Sequence, residues 1–425
     1  MSLVDTRMTP TEVDARATAP ARADVAVAIV GTSHAGSLDP VLEAAERGLA
    51  AYAPGRSGII LLADQSGPTG EVLVGEALGD SSRVRRLSVA SDGQRTGPRA
   101  TRHQLLKLVF ESAAGLGSKA LAVVDANFST IEPAAIGRLL GPVLDNRADY
   151  VGPYYARPGF SGAITGGIVY PFTRALYGRR LRFPAGSEFA CSIRFVQAVS
   201  ADVSWVGAGD GGRIGTDLWL VHRALTGGFR LSESVVGTRP SLAGDEDTEL
   251  SAILARVLGG LFIEAERNVQ IWQRIRGSEA VTLIGTPGDA TQTPPAIDLA
   301  KTTSAFRLGL EHLMPVWASV LPPSTLHELR KLWRRGPAEF QLPDPIWARI
   351  VYDFAIGFHG RVMTREHLLS AFTPLYLGWL ASYATEMAGA DLARCESRLE
   401  ELCARFEIEK PYLISRWRWP DRFSP

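Results

Sequence analysis

Val25–Val30 reads VAVAIV, a run in which every residue is apolar and most are β-branched. Such a run predicts a strand buried on both faces, since a strand with one face in water alternates apolar with polar residues. Similar runs recur at Gly58–Ala63 and Ala120–Val124, a further strand is predicted at Val84–Val89, and stretches with helical spacing separate them. This alternation predicts an α/β fold with a doubly wound parallel sheet.

The second half of the chain has a different pattern. The alternation ends with a predicted strand at Phe229–Val236, and after Gly244 long amphipathic helices follow one another. A chain of 425 residues exceeds the usual size of one hydrophobic core. We therefore expect a disordered leader over residues 1–23, an α/β domain over 24–244 and a helical domain over 245–425.

The composition excludes several classes of protein. Lys+Arg and Asp+Glu both number 45, so the chain lacks the basic excess of a nucleic-acid-binding protein. No run reaches the roughly 18 apolar residues that a membrane span needs. The cysteines Cys191, Cys395 and Cys403 show no C-x-x-C spacing, which favours a reducing, cytoplasmic setting.

The loops after the predicted strands form the candidate site, because ligands of open α/β sheets bind beyond the carboxyl ends of the strands. None of these loops carries the glycine pattern of a dinucleotide-binding protein or of a P-loop NTPase. They do offer glycines, hydroxyls, carboxylates such as Asp64 and cations such as Arg99 and Arg102. That mixture suits a ribose and phosphate groups.

Asp125-Ala126-Asn127 directly follows a buried strand. A D-x-D at this place would hold a divalent cation that neutralises a departing diphosphate. Here the third residue is a neutral amide, a weaker ligand for a hard cation. The alternative is that Asp125 and Asn127 only cap the turn that leads to the helix at Pro133.

Two further carboxylates are predicted to stand at helix starts, in Gly186-Ser187-Glu188 and Gly215-Thr216-Asp217. A carboxylate there can cap the helix and complement its dipole. It can also face the pocket and position the hydroxyls of an acceptor. The residues alone leave both interpretations open.

Several longer segments resemble one enzyme group. Tyr170–Gly178 (YPFTRALYG), Ile214–Trp219 (IGTDLW), Ala348–Ala355 (ARIVYDFA) and Phe372–Gly378 (FTPLYLG) are similar to the retaining glycosyltransferases that include glucosylglycerate, glucosyl-3-phosphoglycerate and mannosylglycerate synthases. The resemblance implies a GT-A nucleotide-sugar domain with a helical C-terminal domain. It also implies transfer of a hexose from a nucleoside-diphosphate sugar to glycerate or 3-phosphoglycerate, and assembly as a homo-oligomer.

The resemblance also implies roles for particular positions. The nucleotide-sugar would contact Gly31, Thr32, Ser33, Asp64, Arg99, Asp125 and Gly186. The acceptor would contact Arg157 and Thr165, the catalytic carboxylates would be Glu188 and Asp217, and a metal would bind Asp125 and Asn127.

Several positions depart from the pattern of this group. Asn127 replaces a metal-binding aspartate, and Thr238-Arg239-Pro240-Ser241 stands where the group has a metal-binding histidine. A lysine of the loop after the third strand is missing, although Arg99 can supply a cation there. We therefore expect Mg²⁺ or Mn²⁺ to be weakly held, or Arg99 and Arg239 to help neutralise the diphosphate.

Two other functions are weighed against the transferase. A non-catalytic relative would keep the fold, bind a nucleotide-sugar or partner an active paralogue. A nucleotidyltransferase would share the sheet, but the loop after the first strand lacks the G-x-G-T-R-type signature of that class.

Overall fold

The computed structural model describes residues 22–31, 38–63, 84–88, 101–156, 163–203, 212–239, 250–288, 297–334 and 340–418. Almost all of the predicted leader lies outside these ranges. Within them, strands fall where the apolar runs predict strands, and the second half is almost entirely helical.

In chain order the strands of the described residues are β1 Val25–Val30, β2 Gly58–Ala63, β3 Val84–Ser88, β4 Ala120–Asp125, β5 Tyr150–Tyr155, β6 Arg179–Arg180, β7 Phe189–Ser192, β8 Leu231–Gly237, β9 Glu279–Ala280 and β10 Thr282–Ile284. Eight of them form the sheet at the core of the α/β part, in the spatial order β10-β8-β5-β7-β4-β1-β2-β3. β6 and β9 form a separate two-stranded pair.

The predicted α/β doubly wound sheet is confirmed, with one strand reversed. β1 pairs in parallel with β2 on one side and with β4 on the other, and all six of its residues are buried. β7 runs antiparallel between β4 and β5. The sheet is therefore mixed, and the start of β7 lies at the same edge as the ends of its neighbours.

Two helix starts differ from the prediction. The helix expected from Glu188 begins only at Ile193, because Phe189–Ser192 form strand pairs with β4 and β5 that override the helical pattern. The helix expected from Asp217 begins earlier, at Gly212, so that Asp217 lies inside it. Neither carboxylate is a helix cap.

Helices cover both faces of the sheet. The helices are α1 Leu38–Tyr52, α2 Arg102–Gly115, α3 Pro133–Leu144, α4 Tyr170–Tyr177, α5 Ile193–Ser200, α6 Gly212–Thr226, α7 Leu250–Arg267, α8 Val269–Trp272, α9 Leu299–His312, α10 Met314–Ala318, α11 Pro323–Arg334, α12 Asp344–Gly360, α13 Arg365–Ser370, α14 Thr373–Glu386 and α15 Leu392–Arg418. α1 and α3 pack on one face, and α2, α5 and α6 pack on the other.

The helical part shares a core with the α/β part. α4, preceded by one wide π-type turn at Thr165–Val169, packs with α7 to α15 in a single apolar cluster. The indole Nε1 of Trp347 in α12 donates to the carbonyl of Gly167 at 2.9 Å. The sheet also takes β10 from beyond the predicted domain boundary at Gly244. None of the helices in the described ranges has the length and apolar character to cross a membrane.

Candidate functional site

The sheet topology brings polar side chains from four strands together at its carboxyl edge. Asp125 ends β4, Tyr155 ends β5 and Arg239 lies two residues beyond β8. Glu188 directly precedes β7, which runs in the opposite direction, so its start lies at this same edge. Gly31 follows β1, and a Cβ atom on Gly31 would lie 3.9 Å from the Oδ2 of Asp125.

A guanidinium group bridges two buried carboxylates at this edge. The Nη2 of Arg239 lies 3.4 Å from the Oδ2 of Asp125, and its Nη1 lies 3.5 Å from the Oε2 of Glu188. The hydroxyl of Tyr155 donates to the same Oε2. Asp125 and Glu188 are 1% and 0% exposed, so their negative charges need a partner within the protein.

The bridge keeps Arg239 charged. Burial alone would lower the pKa of Arg239, but the charges of Glu188, Tyr155 and Asp125 raise it above its usual value. Among the described residues, the buried Oε1 of Glu188 and the buried Nη2 of Arg239 have no hydrogen-bond partner. This edge thus holds an acceptor oxygen and a donor nitrogen with hydrogen-bonding capacity left for a ligand.

A second buried ion pair lies beside the first. The Nε of Arg102 donates to the Oδ1 of Asp217 at 2.8 Å, and the hydroxyl of Ser187 donates to the Oδ2 at 3.0 Å. Arg102 also donates to the carbonyl of Ser187. Burial lowers the pKa of Arg102, but the charges of Asp217, Asp125 and Glu188 outweigh it and raise the pKa. Asp217 therefore holds Arg102 and the segment before β7 in place.

A small pocket of about 40 Å³ opens next to the bridge. Its lining includes Tyr155, Arg239, Gly186 and Thr165, a predicted acceptor contact. Gly186 is required by close packing, since a Cβ atom there would lie 2.2 Å from the Cγ of Pro153 and 3.1 Å from the Tyr155 hydroxyl.

Some of the predicted site residues are among those that the structure describes, and others are not. The structure gathers Gly31, Asp125, Gly186, Glu188 and Thr165 around the bridge and the pocket. Asn127 lies beside Asp125, and Asp217 lies in the neighbouring ion pair with Arg102. The other predicted contacts lie outside the described residues: Thr32, Ser33, Asp64, Arg99 and Arg157. Tyr155 was not predicted, and its only sequence signal is its place at the end of a buried strand.

The predicted metal ligands do not fit a divalent cation in the described part of the chain. The backbone N–H of Asn127 donates to the Oδ1 of Asp125 at 2.9 Å, which is the turn-stabilising alternative. The Oδ2 of Asp125 faces the charged Arg239. No cluster of three or more His, Cys, Asp or Glu side chains suited to a metal occurs among the described residues.

Solved structures with a partly similar fold belong to the group that the sequence resembles. Glucosyl-3-phosphoglycerate synthase from Mycobacterium tuberculosis, crystallised with Mn²⁺, UDP-glucose and phosphoglyceric acid, is 14% identical, with 57% of this chain and 80% of that chain covered and a TM-score of 0.39. Mannosyl-3-phosphoglycerate synthase from Rubrobacter xylanophilus is 16% identical, with coverages of 60% and 77% and a TM-score of 0.35. No protein-family profile and no curated protein matches the chain. Because one fold hosts many activities, function has to follow from the side chains.

Proposed function

We propose that the carboxyl edge of the sheet binds a nucleoside-diphosphate sugar and that the chain transfers its hexose to a small hydroxylated acid. The observation that carries the proposal is the buried Asp125–Arg239–Glu188 bridge. Carboxylate oxygens accept hydrogen bonds from the hydroxyls of ribose and hexose, and a guanidinium pairs with phosphate oxygens. Glycerate or 3-phosphoglycerate as the acceptor, and retention at the anomeric carbon, follow from the sequence resemblance.

The proposed reaction exchanges one bond at the anomeric carbon for another. The bond to the diphosphate oxygen breaks, and a bond to the acceptor hydroxyl oxygen forms on the same face of the sugar. The hydroxyl proton passes to the departing diphosphate. Charge grows on the diphosphate as it leaves, so a fixed cation nearby stabilises the transition state.

A second candidate is a protein that binds a nucleotide-sugar without transferring it. One observation favours it: both carboxylate oxygens of Asp217 already accept hydrogen bonds from other side chains. A carboxylate held in this way is a structural partner of Arg102. The two candidates agree on binding and differ in turnover.

The test is a thermal-shift screen with UDP, GDP and ADP and their glucose and mannose forms. We expect one sugar nucleotide to raise the melting temperature, because ligands that bind only the native state stabilise it. Asp125→Ala should abolish that rise. Turnover with glycerate or 3-phosphoglycerate would then separate the transferase from the binding protein, whereas no shift with any probe would contradict both.

A further inference from the structure

Arg239 stands where a metal would have to bind at this edge. Oxygen-ligated divalent cations in proteins sit about 2.0–2.6 Å from their ligand oxygens, and one or two of these oxygens come from carboxylates in a typical Mg²⁺ site. In this chain the two carboxylates that face each other, Asp125 and Glu188, are already joined by one guanidinium at 3.4 and 3.5 Å. A cation at the Asp125 Oδ2 would lie within a few ångströms of this permanent positive charge and be repelled by it.

The neighbouring residues reinforce this exclusion. Asn127 contributes a neutral amide where a second carboxylate would attract a cation. Its backbone N–H already uses the Asp125 Oδ1. Both oxygens of Asp125 therefore have partners inside the protein.

The guanidinium itself has unused hydrogen-bonding capacity. Its two contacts are longer than the 2.7–2.9 Å of a strong charge-assisted hydrogen bond. Its buried Nη2 has no hydrogen-bond partner among the described residues. A buried N–H without a partner is costly, and a phosphate oxygen would satisfy it.

We infer that Arg239 replaces the divalent cation, so that the site excludes Mg²⁺ and Mn²⁺ and binds a nucleoside diphosphate without metal. The second half of this statement rests on the proposed function. The first half stands on the bridge alone and can be tested without any nucleotide.

The first experiment titrates Mn²⁺ into the purified chain by calorimetry. We expect no saturable Mn²⁺ binding to the wild type, and saturable binding to the double variant Arg239→His with Asn127→Asp, which removes the guanidinium and adds two ligands. Arg230→Ala is the matched control: Arg230 precedes β8 as Arg239 follows it and pairs with the buried Asp149 at 3.0 Å. This control should leave the chain without Mn²⁺ binding. Circular dichroism of each variant checks folding.

Saturable Mn²⁺ binding to the wild type that Asp125→Asn abolishes would overturn the inference. A folded double variant that binds no Mn²⁺ would overturn it as well, because Arg239 would then not be what keeps the metal out.

The second experiment measures binding of the sugar nucleotide found by the thermal-shift screen, in excess EDTA and in Mn²⁺. We expect equal dissociation constants in both, and a loss of about tenfold or more for Arg239→Ala but not for Arg230→Ala, as for a hydrogen bond to a charged group. Binding only in Mn²⁺, or no effect of Arg239→Ala, would contradict the inference while the proposed function stands. No binding in either condition would remove the proposed function, and the Mn²⁺ titration would still decide whether Arg239 excludes the metal.

Discussion

At the scale of single residues, the buried Arg102 and the largely buried Arg239 balance three buried carboxylates at the edge of the sheet. Arg239 forms ion pairs with Asp125 and Glu188, and Arg102 forms an ion pair with Asp217. Removing one partner of a buried pair leaves an uncompensated charge in a medium that solvates it poorly. The two pairs therefore hold the loops of the site in place as well as offering contacts to a ligand.

The Arg102–Asp217 pair gives a prediction for stability. Asp217→Asn should lower the free energy of unfolding by about 3 kcal/mol, because Arg102 stays buried without its counter-charge. Urea denaturation at neutral pH measures the change. Glu43→Gln is the control, since its pair with Arg47 is solvent-exposed and worth less than about 0.5 kcal/mol. Equal effects of the two substitutions would show that the pair has no structural role.

Glu233 in β8 gives a prediction for pH. Burial raises the pKa of Glu233 from 4.5 to about 8 in the folded chain. The unfolded chain therefore loses this proton at lower pH than the folded chain does, so stability falls as the pH rises from about 4.5 to 8.

Glu233→Gln should remove the part of the pH dependence of stability that arises from Glu233. The difference in unfolding free energy between the variant and the wild type should change by roughly 2–4 kcal/mol between pH 5 and pH 8.5, in favour of the variant at high pH. Urea denaturation at the two pH values checks it. A difference that does not change with pH would mean that Glu233 is ionised in the folded chain.

At the scale of elements, the sequence predicts strands that a local apolar pattern marks. It does not predict a strand that forms only through pairing with its neighbours in the sheet. The runs at Val25–Val30 and Ala120–Val124 are buried strands because nothing polar interrupts them. Phe189–Ser192 has no such signal, since it precedes a helical pattern and becomes a strand only through its partners in β4 and β5. Asp125 was predictable from its place after a strand, whereas its contact with Arg239 joins residues far apart in sequence.

The wide turn before α4 gives a prediction at this scale. A Cβ atom on Gly167 would lie 2.1 Å from the indole ring of Trp379, whereas one on Gly166 would meet only Leu399, at an ordinary 3.5 Å. Gly167→Ala should destabilise the chain by about 1–3 kcal/mol through overpacking. Gly166→Ala should change stability much less. Thermal unfolding of both variants measures the contrast, and the opposite order would contradict the packing described for this turn.

At the scale of the whole molecule, the α/β and helical parts are joined through α4. Arg174 in α4 pairs with Glu400 at 2.5 Å and with Glu407 at 2.6 Å, both in α15. Phe172 lies in the same apolar cluster as Tyr352 and Phe406. Apolar residues of α4 in the α/β half are therefore buried by the C-terminal helices.

This shared core predicts cooperative unfolding. Far-UV circular dichroism reports both parts, and tryptophan fluorescence reports mainly the helical part, where Trp272, Trp317 and Trp347 are buried. The two urea transitions should coincide. Separate transitions would show that the parts fold independently.

The most direct measurement for the central claim is hexose transfer in the presence of excess EDTA. The chain is mixed with each of the glucose and mannose nucleotides and with glycerate or 3-phosphoglycerate, and products are detected by mass spectrometry. The bridge predicts a hexosylated acceptor from one donor, formed as fast in EDTA as in Mn²⁺ and lost in Asp125→Ala. Product that forms only with Mn²⁺ would contradict the role given to Arg239, and no product under either condition would contradict the transferase.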